Sequence, residues 1–185
     1  TFGIEILGLF RQVKSAFDPK NLLNPGKILD APPMDTSLRY GPEYRTQPWV
    51  PVMDFSSQDG LAGAIEMCNG AGVCRKEDGV MCPSFQATKD ETHSTRGRAN
   101  ALRAAMMGRL GEQGLTSQEV YQVMDLCLSC QGCLGECPSA VDMAKLKAEF
   151  LHNYYREQGT PLRSRVFANI HLLNQWMQPI APLSN

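Results

Sequence analysis

Cys127-Leu-Ser-Cys130-Gln-Gly-Cys133-Leu-Gly-Glu-Cys137-Pro138 spaces four cysteines as C-x2-C-x2-C-x3-C-P. Thiolates at such short intervals converge on one soft metal site only if the backbone curls around it, and cysteine sulphur holds iron-sulphur clusters in this way. Once three cysteines have closed round a cluster, the x3 step and the proline turn the fourth away, so in two-cluster ferredoxins it ligates the other cluster. A second group of cysteines is therefore required. It lies upstream as Cys68-x5-Cys74-x7-Cys82-Pro83, again ending in Cys-Pro. The crosswise rule gives Cys127, Cys130, Cys133 and Cys82 to one cluster and Cys68, Cys74 and Cys137 to the other, and all seven cysteines are then used.

The second set is one thiolate short. A regular C-x2-C-x2-C run would place its middle ligand at position 71, where this chain has Ala71. A missing corner ligand suits a 3Fe-4S cluster. The alternative is a 4Fe-4S cluster whose fourth iron takes water, hydroxide or a side chain such as Asp78 or His93. A zinc site competes with both, but zinc prefers four tetrahedral ligands, commonly as two separated C-x2-C pairs. A disulphide framework fits poorly because the cysteine count is odd and most of the chain carries none. Cysteine usage therefore implies a reducing, cytoplasmic setting, which includes a peripheral place at the inner face of the membrane.

With 185 residues, 43% hydrophobic and 20% charged, the chain suffices for one globular domain plus an appendage. Its net charge of −1 offers no basic face to nucleic acid, and no apolar stretch approaches the ~20 residues of a membrane span. A soluble protein is expected. The chain starts at Thr1 almost directly in a helical pattern and ends at Pro182-Leu-Ser-Asn185 without a closing element, as a piece of a longer polypeptide would.

Ile6, Leu9, Phe10, Val13 and Phe17 recur at helical spacing until Asp18-Pro19 stops the helix, and Asn24-Pro25-Gly26 makes a turn. From 31 to 58 no period is sustained and prolines alternate with aromatics, as in a linker lying against a surface. Asp59 is placed to cap a short helix delivering Cys68, Thr95 to cap a helix through Ala99, Leu102, Met106 and Leu110, and Thr116-x2-Glu119 to form a capping box. Cys127 then points inward with Val120, Val123 and Met124. Pro83 and Pro138 both suit a first helical position, so both Cys-Pro pairs are expected to start helices with positive ends toward the clusters. The helix from Pro138 carries Val141, Ala144, Ala148, Leu151 and Tyr155 and ends at Gly159. Thr160-Pro161 opens a last helix through Val166, Phe167, Ile170, Leu173 and Met177, before Pro179. The fold class expected is all-α.

Gly79-Val-Met-Cys-Pro-Ser-Phe-Gln-Ala-Thr-Lys-Asp-Glu-Thr-His-Ser-Thr-Arg-Gly-Arg-Ala-Asn100, with the run from Cys133 to Lys145, resembles the cluster domain of large bacterial FAD and iron-sulphur oxidases. Phe17-Asp-Pro-Lys-Asn-Leu-Leu-Asn-Pro-Gly-Lys-Ile28 is similar to the closing segment of an FAD-linked oxidase domain. In this order the segments resemble D-2-hydroxyglutarate dehydrogenases and the D-lactate or glycolate dehydrogenases of the same flavin superfamily. The resemblance implies an alpha-helical ferredoxin-like fold, as in the iron-sulphur subunits of succinate dehydrogenase and fumarate reductase. There a C-x5-C pair with a remote Cys-Pro holds three irons, and Cys68, Cys74 and Cys137 match that set. The family's x3 step before the first Cys-Pro is x7 here, with Asp78-Gly79 as a turn, so Cys82 is where the pattern departs.

The resemblance also implies the organisation: residues 1–30 end an FAD domain, 31–58 link, and 59–185 form a two-cluster helical domain. Asn24, Pro25 and Gly26 would lie near FAD, although the same tripeptide also reads as a plain turn. The parent would oxidise a D-2-hydroxy acid at FAD and pass electrons through the clusters to a quinone or protein acceptor. This segment would be a relay without a substrate site, partnered by the FAD domain of its own polypeptide. Competing functions are a structural zinc or interaction domain, and an iron-sulphur subunit of a glycerol-3-phosphate dehydrogenase or heterodisulphide-reductase-like complex. The flavin-domain tail argues against the last. Arg96 and Arg98 either steer an acidic partner, flank a cluster or form a solvated helix face. His93, His152 and His171 show no metal-site spacing.

Overall fold

The structure, a computed structural model, describes residues 2–38, 40–111 and 113–178 and divides into two compact units, 1–44 and 45–185. Among the described residues every regular element is helical. The expected closing Pro179 and both chain ends lie outside the described residues.

In the first unit α1 (Ile4–Phe17) ends where Asp18 takes over. The Asp18 carboxylate accepts the N–H groups of Leu22 (2.9 Å) and Leu23 (2.8 Å) and an ion pair from Lys14 (2.5 Å), which closes the turn that Pro19 enforces. Lys14 above all, and then these N–H groups, bring Asp18 down to about 2 against the cost of its burial. The apolar stripe of α1 is not buried within this unit: Ile4 is 87% and Phe17 84% exposed.

The second unit begins before the expected helical domain, because residues 45–58 pack on it. Gln47 N–H donates to Met106 O at 2.8 Å, and the fully buried Glu149 accepts from Val52 N–H, Met53 N–H and Trp49 Nε1 at 3.0–3.4 Å. Phe55 enters the core. The scaffold is α2 (Gly60–Glu66), α3 (Pro83–Thr88), α4 (Thr95–Met106), α5 (Gln118–Asp125), α6 (Gly132–Glu136) and α7 (Met143–Gln158). Leu61 and Ile65 of α2, Leu102 and Met106 of α4, Val120 and Met124 of α5, and Leu146 and Phe150 of α7 make its apolar centre. The Tyr121 and Tyr154 rings stack at 4.6 Å.

Several helix starts differ from expectation. Ser94, not Thr95, caps α4 by accepting Gly97 N–H at 2.9 Å. Ser117 rather than Thr116 caps α5, because the Thr116 hydroxyl is spent on Gln113 O at 2.8 Å inside the 3-10 turn Gly114–Thr116. Asp59 precedes α2 in a left-handed conformation (φ 56°) without a side-chain cap. Pro138 does not open a helix. Cys137 terminates α6, the chain turns through Ala140 (φ 49°), and α7 starts at Met143 under an Asp142 cap on Lys145 N–H at 2.9 Å. The buried face of α7 is accordingly Met143, Leu146, Glu149, Phe150, Asn153 and Tyr154, while Ala148 faces out. Gly159 ends it as expected. The expected last helix is two, α8 (Leu162–Ala168) and α9 (Ile170–Met177), broken at Asn169, and neither buries a residue.

Candidate metal centres

Cys82, Cys127, Cys130 and Cys133 line one cavity, with Thr95 and Arg98 in its wall. Cys82 stands at the start of α3 in a left-handed conformation (φ 59°), with Pro83 in the first helical position where no N–H is missed. The longer x7 loop before it is stapled by Glu136. That carboxylate accepts Val80 N–H at 2.8 Å and Met81 N–H at 3.2 Å and pairs with Lys76 at 2.5 Å. Lys76 first, then Val80, holds Glu136 below the ordinary carboxylate range. Gly79 holds φ 76°, a conformation that favours glycine, and a Cβ there would lie 2.7 Å from Glu136 Oε2, so the carboxylate would have to shift. Cys127 follows α5, and Lys147 Nζ donates to Asp125 O at 3.1 Å and Cys127 O at 2.6 Å, closing that helix end. Ser129 (φ 53°) and Gln131 (φ 59°) curl the chain around Cys130, which is exposed.

Cys68, Cys74 and Cys137 line a second cavity, with Ala71, Met81 and Arg96. Cys68 follows α2, where Arg103 Nη2 reaches its carbonyl at 3.2 Å; Cys74 lies in the 3-10 turn Val73–Arg75. Ala71 presents only a methyl group to this space. Neither Asp78 nor His93 is among the lining residues: Gln86 Nε2 takes the Asp78 carbonyl at 3.5 Å, and His93 Nδ1 pairs with Thr88 Oγ1 at 2.9 Å. Thr95 lines both cavities, so the first turn of α4 is their common wall.

That turn also supplies the donors. Arg98, only 1% exposed, directs Nη1 at Cys82 Sγ (3.5 Å), Nη2 at Ser84 Oγ (2.9 Å) and Nε at Val123 O (3.1 Å). A solvated face is thus not its place. Thr95 Oγ1 donates to Cys82 Sγ at 3.7 Å, and Arg96 N–H to Cys74 Sγ at 3.4 Å. Arg96 itself is half-buried and locked on Glu91 at 2.7 Å. Burial pushes the Cys74 and Cys133 thiols up, partly offset by the N–H groups of Arg96 and Met143. Among the described residues no three His, Cys, Asp or Glu side chains converge closely enough to hold one metal ion. The thiols instead rim two spaces furnished with N–H, O–H and guanidinium donors. Thiolate-only donor sets with such partners fit anionic iron-sulphur clusters.

Asn24 and Gly26 line a separate polar pocket within the first unit, beside Arg11, Lys14 and Asp18, and Pro25 sits in the turn between them. Glu136 and Lys147 escaped the sequence reading, and Thr95 reads there only as a helix cap. None of these contacts carries a local signal, because each partner lies far along the chain.

Residues 64–141 match the 4Fe-4S dicluster domain family, and residues 1–28 match the C-terminal domain of FAD linked oxidases. The chain is 31% identical over 210 aligned positions to a D-2-hydroxyglutarate dehydrogenase of Escherichia coli K12, covering 91% of this chain and 20% of that protein. It is 28% identical to the D-2-hydroxyglutarate dehydrogenase of Haemophilus influenzae, covering 100% of this chain and 21% of that protein. A probable glycolate oxidase iron-sulfur subunit of Bacillus subtilis is 29% identical over 105 positions, 56% of this chain and 22% of that protein. The chain therefore spans about a fifth of the length of these curated relatives. No solved structure matches it.

Proposed function

We propose, from the premise that this chain joins the end of an FAD-linked oxidase domain to a 4Fe-4S dicluster domain, that it is the electron relay of a larger flavin and iron-sulphur oxidoreductase. The whole enzyme would oxidise a D-2-hydroxy acid (2-hydroxyglutarate, lactate or glycolate) at FAD and deliver electrons to a quinone or protein acceptor. The observation that carries this is the interleaving of the two cysteine runs. Each cavity takes thiols from both, and the two meet at Thr95.

Cys82, Cys127, Cys130 and Cys133 would hold a 4Fe-4S cluster, and Cys68, Cys74 and Cys137 the second. Bound clusters accept and release single electrons, so a chained pair divides the two electrons of a reduced flavin into separate steps. The chain's own work is to bind and orient: left-handed loops present the thiols, Glu136 and Lys147 pin the flanking backbone, and α4 donates hydrogen bonds to sulphur. Ala71 would offer the second cluster no thiolate and neither Asp78 nor His93 lines its cavity, which supports 3Fe-4S over a 4Fe-4S cluster whose fourth iron takes water, hydroxide or one of those side chains. Asn24, Pro25 and Gly26 would lie near FAD. The uncovered apolar face of α1 supports a larger flavin domain on the same polypeptide. Among the described residues no helix is long and apolar enough to cross a membrane; a cytoplasmic site, or a peripheral one at the inner face of the membrane, suits the free thiols.

Anaerobically purified protein should contain iron and sulphide and show visible absorption that dithionite bleaches. A colourless protein holding only zinc would make the domain structural and sink the relay. Ala71→Cys should convert the second cluster toward 4Fe-4S and remove its paramagnetic signal in the oxidised state; an unchanged signal would show that no corner is vacant.

A further inference from the structure

We infer that Arg98 and Thr95 together set the reduction potential of the four-cysteine centre, holding it above the value its thiolates alone would give. The inference rests on the relay function proposed above and assigns a role to two residues that ligate nothing.

Arg98 carries a charge that is 1% exposed, and none of its three partners is a carboxylate: they are Val123 O, Ser84 Oγ and Cys82 Sγ. Burying a guanidinium is costly unless an anion meets it. The group in reach that cluster ligation would make anionic is Cys82 sulphur, which as a free thiol also donates to His93 O at 3.1 Å. Thr95 Oγ1 adds a second donor to the same atom, and it is free to do so because Ser94 performs the helix cap. One-electron reduction adds one negative charge at this centre and breaks no bond; the electron comes from reduced flavin in the enzyme or from dithionite in a titration. A fixed cation and a hydroxyl beside ligand sulphur favour the more negative state, and in a dry site they are screened little.

The other centre is arranged differently. Cys74 Sγ receives the backbone N–H of Arg96, which no side-chain substitution removes, while the Arg96 guanidinium is engaged with Glu91 at 2.7 Å. Replacing Arg98 therefore acts on one centre and leaves the other as an internal reference.

The test is a redox titration of the full-length holoprotein followed by electron paramagnetic resonance, with Cys130→Ser identifying the signal of the four-cysteine centre. Arg98→Gln should shift the one-electron equilibrium at least tenfold toward the oxidised form, which is about 59 mV downward. Arg98→Lys should recover part of that shift, Thr95→Val should give a smaller shift in the same direction, and the three-cysteine signal should stay in place. Loaded Arg98→Gln protein with an unmoved potential would overturn the inference. Where Arg98→Gln fails to assemble the centre, Thr95→Val decides: a downward shift confined to that centre supports the inference, and no shift overturns it. Wild-type protein without iron and sulphide would overturn the relay function and this role with it, whereas unmoved potentials in loaded variants overturn this role alone.

Discussion

Glu149 lies on the buried face of α7, where its carboxylate gathers the N–H groups of Val52 and Met53 with Trp49 Nε1 and Asn153 Nδ2. Burial pushes its pKa up, but these donors more than offset that and hold it below the ordinary carboxylate value. With the folded pKa depressed, its stabilisation is fully present above the ordinary carboxylate range and is lost as pH falls through the lower folded value. Glu149→Ala should cost about 3 kcal/mol, since it strands buried donors, and it should flatten the acid limb of a stability–pH curve measured by denaturant melts. An unchanged acid limb would mean that the carboxylate is not what anchors residues 45–58. Gly79 makes a comparable point about the Cys82 loop. Alanine there must hold φ near 76° and meet Glu136 Oε2, so Gly79→Ala should cost about 1–2 kcal/mol and speed iron loss to a chelator; equal chelation rates would show that the loop has slack.

At the scale of elements, Ser94-Thr95 and Thr116-Ser117 each offer two adjacent hydroxyls, and local rules cannot choose between them. The choice is tertiary. Thr95 is claimed by Cys82 Sγ, some 13 positions away, which leaves Ser94 for the cap, and Thr116 is claimed by the 3-10 turn. Ser94→Ala should accordingly cost about 1 kcal/mol of thermal stability, whereas Thr95→Ala should leave α4 intact and alter only the cluster; equal melting losses from both would argue against this division. The all-α class was legible because helical periodicity is a local signal, and C-x2-C-x2-C-x3-C-P spacing, equally local, anticipates which thiols line which cavity. Pro138 misled because its fixed φ serves a turn as well as a helix start, and the turn lets Cys137 face the cavity opposite to that of Cys133. Arg98 was illegible for a similar reason. Nothing in Thr-Arg-Gly-Arg distinguishes an arginine in water from one buried against sulphur.

Across the second unit, α4 is the axis that joins two kinds of cohesion. Its first turn stands between the cavities, and its last two turns carry Leu102, Ala105 and Met106 into the apolar centre with Val120, Leu146 and Phe150. The cysteine loops contribute few apolar side chains of their own and hold several left-handed residues, Cys82, Ser129, Gln131 and Ala140. Such conformations persist only where surrounding contacts over-determine them. With clusters bound as proposed, metal ligation would supply those contacts at one end of the unit, while hydrophobic burial supplies them at the other. Stripping the clusters should therefore divide the unit rather than unfold it. Amide hydrogen exchange on the anaerobically chelated protein should show protection lost over 68–82 and 127–140 but retained at 102–106 and 146–154. Loss of protection at all four segments together would mean that the clusters hold the whole unit, and that the apolar centre formed by α2, α4, α5 and α7 is too small to stand without them.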